Sequence, residues 1–186
     1  LGVFRNGKLN GYGERYGVVN SFYYGEFKNG LKHGKGKDDN IDYIYEGEYN
    51  EDKKHGNGKL VYKKVPDIYE GEFRDGSITG VGCYTWANKD SYRGPMINGK
   101  MHGKGYYKWP DGSEYTGEYI NNIKEGFGRF KWANGRVFEG PFVSGKPHGI
   151  GKLQVGSSTF AVEFKNGKLT KNVNKSHNNS KEEVKL

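Results

Sequence analysis

The chain has 186 residues, of which 33% are hydrophobic, 15% aromatic and 28% charged, with 31 glycines and a formal net charge of +8. That is too little aliphatic material for a thick globular core, and no apolar run approaches the roughly 18–20 residues of a membrane helix. Cys83 is the one cysteine, which excludes an intrachain disulfide and fits a reducing compartment.

Read in order, the chain returns to one pattern about every 23 residues: aromatic-x-Gly-x-aromatic, a short turn, then Gly-x-Gly. It opens inside that pattern, with Phe4, Asn6 and Gly7, and Gly11 and Gly13 in place. Leu1 falls one place after the expected first aromatic, so the register predicts further sequence upstream. The first aromatic then recurs at Tyr23, Tyr45, Tyr69, Tyr92, Tyr115, Phe138 and Phe160, at spacings of 22, 24, 23, 23, 23 and 22. The second recurs at Phe27, Tyr49, Phe73, Met96, Tyr119, Phe142 and Phe164. The glycines that define the repeat are Gly25, Gly34, Gly36, Gly47, Gly56, Gly58, Gly71, Gly80, Gly82, Gly94, Gly103, Gly105, Gly117, Gly126, Gly128, Gly140, Gly149 and Gly151. Trp86, Trp109 and Trp132 share one repeat place, and His33, His55, His102 and His148 share another. Repetition at this period signals stacked units that bury only their shared faces.

Side-chain alternation supplies the strands. Tyr115, Gly117 and Tyr119 fall on one face, Thr116 and Glu118 on the other. Turns such as Asn98 with Gly99, and Asp111 with Gly112, supply the positive φ of tight hairpins. The expectation is an all-β chain: an elongated, single-layer antiparallel meander of tandem hairpins with about fifteen strands. Residues 1–170 form seven repeats and a terminal half-repeat, and residues 171–186 a disordered Lys/Asn-rich tail. A turn at Asp111 and Gly112 sets Trp109 opposite Tyr115, Tyr107 opposite Gly117 and Gly105 opposite Tyr119, with rings flat over glycines of the next strand. Pro95 and Pro141 replace the usual Glu, and a central strand tolerates them only where no ladder N–H is needed, at a bulge.

Residues 23–36, Tyr-Tyr-Gly-Glu-Phe-Lys-Asn-Gly-Leu-Lys-His-Gly-Lys-Gly, carry the whole unit. It closely resembles the MORN (membrane occupation and recognition nexus) repeat, whose signature is Tyr-x-Gly-x-aromatic, an Asn-Gly turn, then His-Gly-x-Gly. The resemblance covers about residues 1–170. It implies a non-enzymatic scaffold that mediates protein–protein interaction and associates with membrane or cytoskeleton. The alternative is an accessory segment of a larger enzyme, such as a phosphatidylinositol-phosphate kinase or a SET-type lysine methyltransferase. It also implies a cytoplasmic location, at the cytoskeleton or the cytoplasmic face of a membrane.

No residue set points to catalysis or to a cofactor. Glu26, Glu48, Glu72, Glu118 and Glu163 recur on the polar face as a row of solvated charges, not a converging pair. His33 and His55 lie in neighbouring repeats but lack the third and fourth ligands of a zinc site, so a hydrogen-bonding role at the turns is expected. Gly-x-Gly opens strands here, which removes the dinucleotide and phosphate-loop readings. The expected interaction surface is an aromatic strip: Trp86, Tyr92, Tyr107, Trp109, Tyr115, Trp132 and Phe138, continuous with Tyr119 and Phe130. The basic balance favours acidic partners, whether proteins or an acidic phospholipid surface. Lysines among aromatics also suit single-stranded nucleic acid, a reading the resemblance argues against. Unpaired edge strands would favour a homo-oligomer.

Overall fold

The computed structural model describes residues 1–18 and 20–173. Eighteen strand segments form one antiparallel sheet. They are β1 Gly2–Arg5, β2 Lys8–Tyr16, β3 Phe22–Lys28, β4 Leu31–Asp39, β5 Tyr43–Asn50, β6 Lys53–Tyr62, β7 Ile68–Arg74, β8 Ser77–Thr85 and β9 Ser91–Ile97. Then follow β10 Lys100–Met101, β11 Gly103–Lys108, β12 Glu114–Ile120, β13 Ile123–Lys131, β14 Val137–Val143, β15 Lys146–Pro147, β16 Gly149–Val155, β17 Ser158–Lys165 and β18 Lys168–Asn172. Each strand pairs with its neighbours in sequence, so the sheet is an open meander of hairpins. β10 and β11 are one line of chain interrupted at His102, both lying on β9; β15 and β16 are likewise interrupted at His148 on β14. These two breaks supply two of the three segments above the expected fifteen; the third is β18, which pairs with β17 where a half-repeat of one strand was expected. The last strand runs through Asn172, two residues past the expected end of the array; the rest of the expected tail, from residue 174 on, lies outside the described residues. Among the described residues no helix is long and apolar enough to cross a membrane.

The two edges of the sheet use different turns. On one edge Asn98 and Gly99, both at positive φ (49° and 73°), make a two-residue turn between paired Ile97 and Lys100. Glu51 with Asp52, and Asn121 with Asn122, adopt the same left-handed pair without glycine. On the other edge the loop is longer. The Trp109 amide donates to the Ser113 carbonyl (2.9 Å) and the Gly112 amide to the Trp109 carbonyl (3.1 Å). Three residues, centred on Asp111, therefore form the loop, and the register is two residues away from the expected one. Tyr107 pairs with Tyr115, Gly105 with Gly117 and Gly103 with Tyr119.

This register lines up glycine with glycine. Gly13 pairs with Gly25, Gly25 with Gly36, Gly36 with Gly47, Gly47 with Gly58, and the row continues to Gly151, where Val162 ends it. The covering rings do not lie over directly opposed glycines, as expected, but lean diagonally along the strand. Tyr115 covers Gly117 of its own strand and Gly128 of the next; a Cβ on Gly128 would meet the ring at 2.4–2.7 Å. Each ring's hydroxyl then reaches the carbonyl three residues on: Tyr23 to Glu26, Tyr45 to Glu48, Tyr69 to Glu72, Tyr92 to Pro95 and Tyr115 to Glu118, at 2.8–3.2 Å. The second aromatics wedge edge-on between successive rings, as Tyr119 does against Tyr115 (5.3 Å, 88°) and Tyr92 (5.5 Å, 84°). A sheet without an opposing layer thus builds its core from rings lying on their own backbone.

The Gly-x-Gly segment also bulges. Gly117 pairs with Gly128, but Glu118 pairs with Glu125, leaving two extra residues on the second strand. The Glu side chains Glu26, Glu48 and Glu72 accept the exposed bulge amides of Lys35, Asn57 and Val81 at 2.9–3.0 Å. These three glutamates cap the bulge, a role the expected row of solvated charges did not include, while Glu48 and Glu72 stay exposed as expected. Pro95 and Pro141 stand at the same bulge, as expected, and their carbonyls accept the His102 and His148 amides (3.0 and 2.9 Å).

Candidate binding groove

The ring face of the sheet is a groove between the two kinds of turn. One wall is a ladder of half-buried rings contributed by the strand ends on the tryptophan edge. Centroids step from Tyr84 to Trp86 (4.6 Å), Tyr107 (5.4 Å), Trp109 (4.4 Å), Phe130 (5.4 Å) and Trp132 (5.0 Å). Its tyrosines are anchored: Tyr84 donates to Asp67 (3.0 Å) and Tyr107 to Asp90 (2.7 Å). Burial, then the neighbouring carboxylate, pushes both phenols above their ordinary range.

The opposite wall is the row of two-residue turns. Each turn docks on the preceding repeat through a backbone bond, as Gly76 does to Lys54, Gly99 to Ile78, Asn122 to Met101 and Gly145 to Lys124 (2.9–3.0 Å). The accepting residues occupy one repeat place and face into the groove. Lys54 holds its ammonium 3.8 Å from the Tyr43 ring centroid and 5.4 Å from that of Tyr45. Lys124 sits among three rings, 4.9 Å from Trp109, 5.0 Å from Phe130 and 5.3 Å from Tyr115. Burial lowers both lysine pKa values; Asp38 works against the shift at Lys54. Two hollows of ≈ 380 Å³ take walls from both edges. One is lined by Tyr43, Lys54, Tyr62, Phe73, Ile78 and Gly99, the other by Trp132, Arg136, Leu153, Phe164, Lys168 and Leu169.

The expected aromatic strip therefore divides into two tiers. Trp86, Tyr107, Trp109 and Trp132 are in the half-buried ladder. Tyr92, Tyr115 and Phe138 are 1%, 0% and 0% exposed and lie beneath it, because the glycine row gives them a floor. They are core, not contact surface. Tyr119 is core too. The expectation omitted Tyr84, although it holds the same repeat place as Tyr107 and Phe130, and it omitted Lys54 and Lys124, two places before the first glycine of each pair.

The turn bond expected of the histidines is made at His148, whereas Nδ1 of His55 and of His102 is buried without a hydrogen-bond partner among the described residues. His148 Nδ1 accepts the Asn166 amide (3.4 Å), and Asn10 and Glu125, at the equivalent place, accept the amides of Asn29 (3.1 Å) and Ser144 (3.0 Å). Among the described residues no group of three His, Cys, Asp or Glu is placed to hold a metal ion. Cys83 is exposed on the face opposite the rings, paired with Glu70 and Arg93.

The comparisons with known proteins bear on this repeat directly. None of the curated proteins matches the chain. The family model described as MORN repeat matches seven segments, residues 2–20, 23–37, 45–64, 69–91, 92–114, 115–135 and 138–154. Those segments carry the rings, glycines and turns that build the groove, and the chain belongs to the MORN-repeat family.

Proposed function

We propose that this protein is a non-enzymatic scaffold whose ring-lined groove docks an extended segment of a partner protein. The observation that carries the reading is the ladder from Tyr84 to Trp132: six contiguous half-buried rings that no helix or second sheet covers among the described residues. Indole and phenol rings held on strands lose little conformational freedom on binding, and such aromatics dominate interface energetics. The stacked hairpins supply a rigid support of one repeating geometry. Association with a membrane or the cytoskeleton then follows from what is docked, with the net charge of +8 adding attraction to acidic surfaces.

The test is a selection of displayed peptides on the full chain, followed by calorimetry. Selected peptides are expected to bind with one site per chain and to weaken about thirtyfold with Trp109→Ala, the loss of one interface anchor. Peptides indifferent to Trp109→Ala would remove the groove from the reading. Light scattering over a range of concentrations supplies the other arm. A strict monomer leaves the ladder free for a partner, whereas a concentration-dependent dimer abolished by Trp109→Ala would assign the ladder to a second copy.

A further inference from the structure

Among the described residues the groove contains cations without a carboxylate partner, and the repeat itself shows that this is a departure. At the first such place Lys32 is neutralised: its ammonium pairs with the buried carboxylate of Asp38, six residues on, which also accepts the Tyr49 hydroxyl (3.3 Å). Six residues on from Lys54 stands Leu60, and six on from Lys124 stands Phe130. Each of these ammonium groups meets only ring faces at close range, and Asp38, which acts on Lys54 from a distance, is already engaged. Ring faces compensate part of the cost of desolvating an ammonium, and a carboxylate compensates far more. Between the two lysines the same place is apolar, Ile78 and then Met101.

Resting on the docking reading above, we propose that the occupant of the groove is an extended acidic–apolar protein segment. One of its carboxylates pairs with Lys54 and a second pairs with Lys124, with an apolar side chain between them on half-buried Ile78. The two lysines are three repeats apart, and two strands per repeat at ~4.8 Å give a separation of about 30 Å. An extended chain covers that distance in about nine residues. A single-stranded nucleic acid carries a charge at every nucleotide and would meet two apolar repeats in this span. A flat lipid surface does not reach ammonium groups recessed between the ring ladder and the turns.

The experiment uses phage-displayed random twelve-residue peptides selected on the full chain, with circular dichroism confirming that each variant folds. Lys54→Met and Lys124→Met keep side-chain volume and ring contact while removing the charge. Peptides selected on the unmodified chain are expected to carry Asp or Glu at two positions about nine residues apart. Each substitution is expected to weaken them about tenfold, as is replacing the facing Glu by Gln. Peptides that lose binding with Trp109→Ala but not with either lysine variant would overturn this inference and leave the groove reading standing. Peptides indifferent to all three variants, or no peptides at all, would overturn both. Vesicles of phosphatidylserine and phosphatidylcholine form the second arm. Sedimentation that is lost in Lys54→Met and Lys124→Met, with no acidic peptide selected, would reassign the two cations to a lipid surface.

Discussion

Gly128→Ala tests the core directly. Gly128 has ordinary extended backbone, so the substitution adds no conformational strain and its cost is steric. The new Cβ would lie 2.4 Å from the Tyr115 hydroxyl oxygen and 2.5 and 2.7 Å from two ring carbons. Ordinary carbon contacts begin near ~3.5 Å, so the ring must retreat by about 1 Å. It has nowhere to go: Tyr115 is 0% exposed and is wedged between Tyr119 (5.3 Å) and Phe142 (5.0 Å). Overpacking of this kind costs about 1–3 kcal/mol, and losing the hydroxyl bond to the Glu118 carbonyl adds about 1 kcal/mol. The expected loss is therefore about 2–4 kcal/mol. Urea unfolding followed by tryptophan fluorescence reads it, since Trp109 and Trp132 flank this repeat. Tyr115→Ala completes the cycle. In that background Gly128→Ala should be neutral or stabilising by up to about 1 kcal/mol, because alanine suits a strand interior better than glycine. An equal loss with and without the Tyr115 ring would refute the claim that the glycines exist to seat the rings.

Three further predictions follow from the same contacts. Phe138 is the one first-place ring from Tyr23 to Phe138 without a hydroxyl, and the Tyr92 hydroxyl reaches the carbonyl of the equivalent proline, Pro95, at 2.8 Å. Phe138→Tyr should thus raise the urea midpoint by an amount equivalent to about 1 kcal/mol, and a fall would contradict the hydroxyl geometry. Glu48→Ala should cost about 1 kcal/mol by uncapping the Asn57 amide, whereas Glu48→Gln, which keeps an acceptor oxygen, should cost less than half of that; equal losses would mean that charge, not capping, is what Glu48 supplies. At alkaline pH, burial pushes the Tyr69, Tyr92 and Tyr115 phenols up to about 12 from 10.0, so the stability they contribute is complete below pH 10 and is lost as pH rises towards 12. Lys54 and Lys124, lowered by burial from 10.5, act in the opposite sense below pH 10.5. The thermal midpoint should therefore hold or rise slightly up to about pH 10 and fall beyond it, and a flat profile to pH 12 would rule out buried neutral phenols.

The hairpin meander was legible from spacing alone, because scarce residues fell in register and the Asn98 and Gly99 type of turn allows one geometry. The second turn was not legible to the residue. Asp111 with Gly112 is compatible with loops of different length, and the choice moves every cross-strand pair; the observed loop is held by the Trp109 and Ser113 backbone bond together with the Asp111 carboxylate, which accepts the Ser113 amide (2.8 Å), as Asn88 and Asn134 accept those of Asp90 and Arg136. That shift is why Tyr92, Tyr115 and Phe138 read as surface and proved to be core. The glutamate caps escaped for a related reason. A Glu at an outward-facing strand position looks solvated until the partner strand is known to bulge and present a free amide there. Lys54 and Lys124 were hidden by composition: in a chain with 30 Lys and Arg, two groove cations stand out only once Leu60 and Phe130 are seen where Lys32 has Asp38.

The central claim is that the ring ladder is the docking wall, and three indole N–H signals test it most directly. Trp86, Trp109 and Trp132 are the only tryptophans, so a nitrogen–proton correlation spectrum shows each as one isolated resonance. Titration with the tightest selected peptide should move all three along one saturation curve. Saturable binding that leaves the three indoles in place, while amides around the exposed Tyr12, Phe127 and Ile150 on the opposite face shift, would contradict the account.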